Sequence, residues 1–129
     1  MPGPRPNPAK PHSRHRRRGQ LLVLPAECTL PPPKLPQGRR WSAAERRLWA
    51  ELWGSPQASQ WDDSYGAAVA QYVVHAAAVL AGSASAWQAT EARHLGDRLG
   101  LTPSGLAALG WALAEPNPSP LSVLPGGGS

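Results

Sequence analysis

Few residues in this chain have the type and spacing that chemistry requires. His75 sits among alanines and valines, where a packed imidazole is expected rather than a ligand. His94 lies in a polar stretch, and His12 and His15 belong to a basic segment. The lone Cys28 has no cysteine partner for a disulfide or a metal site. Asp62 and Asp63 are adjacent, so on a helix they point about 100° apart and share no general acid–base site. Negative charge there suits the start of a helix instead. Gly96 and Gly100 are followed by no Lys-Ser/Thr pair, so no phosphate loop forms and ATP hydrolysis is not expected. No metal, cofactor or catalytic group is expected. The one concentrated chemistry is cationic: Arg5, Lys10, Arg14, Arg16, Arg17 and Arg18 can neutralise several phosphates. They would give steeply salt-dependent binding to nucleic acid, without selecting a base sequence.

The elements that carry these groups are unevenly spread over the 129 residues. Residues 1–40 hold ten prolines and nine Lys/Arg against Glu27 alone, a net of +8. Residues 41–129 hold four Arg against seven Asp/Glu, a net of −3. The expected organisation is therefore a disordered basic arm (1–40), a helical oligomerisation domain (41–115) and a disordered tail (116–129). Leu21–Leu24 after the arginine run is too short for an export signal, and Pro25 ends it. The apolar stretch 67–81 is short of a membrane span. A soluble intracellular protein without membrane contact is expected.

Within 41–115 the spacing predicts an all-α fold of four helices built on a long antiparallel hairpin. Ser42 and Glu45 form a capping box, and Leu48, Trp49, Leu52 and Trp53 make one apolar face before Gly54. Ser55-Pro56 opens a long second helix to about Ala81. Along it Trp61, Tyr65, Val69, Tyr72, Ala76 and Val79 recur at near-heptad spacing, widened by Val73 and Leu80. This stripe is expected to be an oligomerisation seam, because so small a core is marginal alone. A third helix from about Ala84 to Leu99 places Trp87, Leu95 and Leu99 inward. Thr102-Pro103 opens a short fourth helix weakened by Gly105 and Gly110.

Residues 92–113 also have the outline of a helix-turn-helix, which would make the chain a small dimeric transcriptional regulator. The would-be recognition helix offers only Ser104 to base edges. A helical adaptor whose arm docks an acidic protein is the other alternative.

Three pieces together resemble the small subunits of phage terminases, particularly of actinobacterial phages and prophages. They are the Gly3-Pro-Arg-Pro-Asn-Pro-Ala-Lys-Pro11 opening with its arginine cluster, Leu48–Ala58 with Trp61, and Glu91–Ser104 ahead of Trp111. Within the last, Leu99-Gly-Leu-Thr-Pro-Ser104 is the most specific. The resemblance implies a non-catalytic ring homo-oligomer in the host cytoplasm. It would recognise double-stranded viral DNA and recruit and regulate the terminase large subunit, which carries the ATPase and the nuclease. Relatives tend to carry Arg or Lys in the last helix, where this chain reads Gly105-Leu-Ala-Ala-Leu-Gly110. DNA contacts would then fall to the arm and to Arg39, Arg40, Arg46 and Arg47.

Overall fold

A computed structural model describes residues 20–115. This part is mostly helical, as the periodicity implied. Helix α1 spans Ala43–Trp53 and starts where the capping box places it: the Glu45 amide donates to Ser42 Oγ (3.1 Å) and the Ser42 amide to Glu45 Oε1 (2.8 Å). It buries Trp49, Leu52 and Trp53, and the Gly54 amide closes its last turn.

The expected single helix from Pro56 onward is broken. Pro56–Gln60 is a 3₁₀ turn, Trp61 and Asp62 are extended, Asp63–Tyr65 is a second 3₁₀ turn, and helix α2 begins only at Gly66 and ends at Leu80. The break turns Trp61 into the core. Its ring meets Trp53 edge-on at 5.2 Å, Trp53 packs on Trp49 at 5.6 Å, and Trp61 Nε1 donates to the Leu99 carbonyl. Burying one large aromatic with its donor satisfied outweighs a few helical hydrogen bonds in a stretch that Asp62 and Ser64 can turn by themselves.

Helix α3 spans Ala86–Leu99, after a short turn from α2, and these two helices make the most extensive helix contact. Ser85 and Gln88 form its own capping box. Helix α4, Pro103–Leu109, is capped by Thr102. Gly100 adopts a left-handed conformation (φ +79°), and a Cβ there would lie 2.6 Å from the Trp111 ring. Only glycine fits both demands.

Two further expectations need correction. The fold is not all-α: β1 (Leu22–Leu24) pairs in parallel with β2 (Trp111–Leu113), in register Leu22↔Trp111, Val23↔Ala112 and Leu24↔Leu113. Nor are residues 20–40 part of an unstructured arm. Leu24 is 1% exposed, and the Cys28 amide donates to the Gly54 carbonyl. Trp49 Nε1 donates to Pro33 O (2.8 Å) and Trp41 Nε1 to Pro36 O (2.9 Å). Proline lacks an amide donor but keeps its carbonyl, so a proline-rich strap suits indole N–H groups that need acceptors. Residues 1–19 and 116–129, where disorder was expected, lie outside the described residues.

Candidate nucleic-acid interface and assembly surface

The cations divide into two sets. Arg5, Lys10, Arg14, Arg16, Arg17 and Arg18 lie outside the described residues. The other four, Arg39, Arg40, Arg46 and Arg47, lie just before and on α1 and are exposed. They are not equivalent. Arg39 Nη2 reaches both carboxylate oxygens of Glu45 (3.3 and 3.2 Å), and its guanidinium lies 4.3 Å from the centre of the Trp41 ring. Glu45 is buried and also closes the capping box, so Arg39 neutralises a carboxylate that the helix start requires. Arg40, Arg46 and Arg47 make no ion pair among the described residues and present full charge to solvent.

The stripe expected to join subunits is largely used inside one chain. Val69 and Val73 are 0% exposed, and Trp61 and Ala76 are also buried. Tyr65 stacks on Trp61, and half-buried Tyr72 lies against Gly96, where a Cβ would sit 3.4 Å from its ring. Partial burial holds the Tyr72 hydroxyl above its ordinary pKa. A helix pair this small spends most of its apolar face on its own core, so most of the near-heptad stripe is buried within the chain. Of the eight residues only Val79 and Leu80, at the end of α2, are exposed.

Trp87 joins them. It was expected inward, but it is 64% exposed, in the first turn of α3, with its ring edge-on to His75 at 5.4 Å. Leu80 is 80% exposed. Beside it runs a shallow groove lined by Leu48, Arg47 and Glu51 of α1 and by Ala77 and Leu80 of α2. The signal for Trp87 in the sequence was its position two residues after the Ser85 cap, where the first turn has little core to meet.

The helix-turn-helix outline has a packing role. Thr102 and Ser104 both donate side-chain hydrogen bonds to Asp97 Oδ1, the latter at 3.0 Å. These bonds hold the Asp97 carboxyl below its ordinary value of 3.8. Ser104, the one polar side chain that the would-be recognition helix offers, is thereby engaged, and α4 is only seven residues long. Asp62 and Asp63 precede α2; Asp62 accepts from the Ser64 amide (2.8 Å) and hydroxyl, which holds its carboxyl below the usual range. No group of three metal-ligating side chains occurs among the described residues, and no helix there is long and apolar enough to cross a membrane.

No curated protein and no solved structure matches the chain. A protein-family model described as phage terminase small subunit matches residues 1–122, which takes in the basic opening, the Trp cluster and the glycine-rich corner alike. The chain belongs to the phage terminase small subunit family.

Proposed function

We propose that the chain is a non-catalytic, DNA-binding subunit that marks viral double-stranded DNA for packaging and engages the ATPase–nuclease large subunit in the host cytoplasm. The observation that carries this reading is the family match across residues 1–122, which spans both the cationic segment and the helical body. Charge supports the division of labour. Residues 1–40 have a net of +8 and residues 41–129 a net of −3, so phosphate is drawn to the N-terminal side. Arg5, Lys10, Arg14, Arg16, Arg17 and Arg18 supply the main contacts, with Arg40, Arg46 and Arg47 as an adjoining fixed patch. Arg39 contributes less, because Glu45 already holds it.

Self-assembly into a ring uses the exposed end of the α2–α3 pair, centred on Val79, Leu80 and Trp87. Apolar side chains gathered at one end suit a heterologous contact that closes on itself. A ring then multiplies weak arms into one strong binder. Native mass spectrometry of the chain with and without double-stranded DNA tests the reading. A single closed homo-oligomer that retains DNA supports it. A monomer that takes up no DNA at physiological salt overturns it.

A further inference from the structure

Among the described residues the sheet has two strands, β1 and β2, so each keeps one open edge. Parallel strands normally belong to larger sheets covered on both faces, and two strands alone are marginal. Hydrogen bonds fix which groups of β2 face outward. The Leu22 amide donates to the Gly110 carbonyl, and Leu22 pairs with Trp111. Backbone groups alternate in direction along a strand, so the N–H and C=O of Trp111 and Leu113 point away from β1. Among the described residues neither amide has an acceptor. Leu113 is 47% exposed, whereas Leu24, its partner across the pair, is buried. The core thus stops at β2 with an apolar side chain and a row of backbone groups uncovered.

The sequence holds one segment of matching type. Strand β1 and its end read Leu21-Leu-Val-Leu-Pro25, and the Leu-x-Val-Leu-Pro pattern recurs once, as Leu121-Ser-Val-Leu-Pro125. Pro120 and Pro125 limit that segment to four residues, close to the three of β2. Residues 1–19, the other stretch outside the described residues, contain no Leu, Ile, Val, Tyr or Trp.

We propose that Leu121–Leu124 docks in cis on the open edge of β2 as a third strand. The chain continues from β2 itself, with residues 114–120 between Leu113 and Leu121. That connection reaches up to roughly 26–29 Å, against the roughly 5 Å that separates paired strands. It is short enough to give an antiparallel strand, since a parallel return needs about a dozen residues or more. Directly opposed residues share a face. With Leu121 opposite Leu113 and Val123 opposite Trp111, both apolar side chains join the face of Leu24. Ser122 falls beside Ala112, on the face of exposed Val23. The Trp111 and Leu113 amides then donate to the Val123 and Leu121 carbonyls. The docked strand closes the edge of β2 against pairing with a second copy. It depends on neither the proposed DNA binding nor the proposed ring.

The test is amide hydrogen exchange of the full chain, followed by NMR, against the full chain carrying Val123→Pro. Rates at Trp111 and Leu113 are taken relative to the Leu24 amide, which faces β2. A segment docked about nine-tenths of the time slows exchange at Trp111 and Leu113 about tenfold, and Val123→Pro is expected to remove that slowing. Equal relative rates in the two chains overturn the docking. Slowing that grows with protein concentration assigns the strand to another copy and overturns docking in cis. Ser122→Thr, on the solvent face, is expected to keep the slowing; its loss there overturns the register.

Discussion

Gly105 lies against the backbone of Asp97 so closely that a Cβ at position 105 would sit 2.3 Å from the Asp97 carbonyl oxygen. The short helix α4 therefore packs on the end of α3 through bare backbone, and the glycine that weakens α4 locally is what lets the corner close. Gly105→Ala gains about 1 kcal/mol of helix propensity. It is nonetheless expected to lose about 1–3 kcal/mol net, because main-chain atoms cannot move aside as side chains do. Urea unfolding checks this. Gly96→Ala is the control: its Cβ meets the Tyr72 ring at 3.4 Å, and a change within about 1 kcal/mol is expected.

The same corner gives a pH dependence. The Asp97 carboxyl is held low by hydrogen bonds from Thr102 and Ser104. Its folded-state pKa lies below the unfolded value, so its stabilisation is present above about pH 4 and is lost as pH falls through the folded value. Thermal unfolding of the native chain is expected to weaken more steeply below pH 4 than that of Asp97→Asn. Parallel curves would deny Asp97 this part.

Glu45 and Arg39 are expected to behave asymmetrically. Glu45→Ala removes half of the capping box and leaves Arg39 unpaired, a loss of about 1–2 kcal/mol. Arg39→Ala costs less, within about 1 kcal/mol, because its side chain is 42% exposed and solvent screens the pair. Denaturant midpoints of the two variants decide this.

The proposed self-association and the folding are expected to separate along the α2–α3 pair. Leu80→Asp and Trp87→Ala are expected to reduce assembly in analytical ultracentrifugation while leaving the circular dichroism intact, since both side chains are largely exposed. Val69→Asp is expected to unfold the chain, because it places a charge at a fully buried position. Intact assembly in both exposed-site variants would move the subunit contact elsewhere.

The legible parts of the fold were those set by nearest neighbours. Ser42 with Glu45, Gly54 after Trp53, and Thr102-Pro103 with Gly100 announce helix ends because caps and left-handed turns act over a few residues. The 22–113 sheet was not legible: Leu22–Leu24 and Trp111–Leu113 are each three residues long, and their pairing joins opposite ends of the described chain. The proline strap fell within the expected disordered arm because its role depends on Trp41 and Trp49, whose donors reach it only after folding. The Trp61–Val79 stripe was correctly seen as apolar, but periodicity does not say whether a stripe meets its own chain or another copy. The break at Trp61–Asp62 likewise hid within a helical spacing. Of the candidate DNA contacts, Arg39 is paired with Glu45, which the sequence marked only as half of the cap.

The central claim is that cations near the N-terminus hold DNA. Fluorescence polarisation of a labelled double-stranded DNA, titrated with the full chain at several salt concentrations, tests it most directly. The account predicts a log–log salt slope of roughly −4 to −5, which replacement of Arg14, Arg16, Arg17 and Arg18 by Ala brings about 3–4 closer to zero. The same slope and affinity in both chains would contradict it.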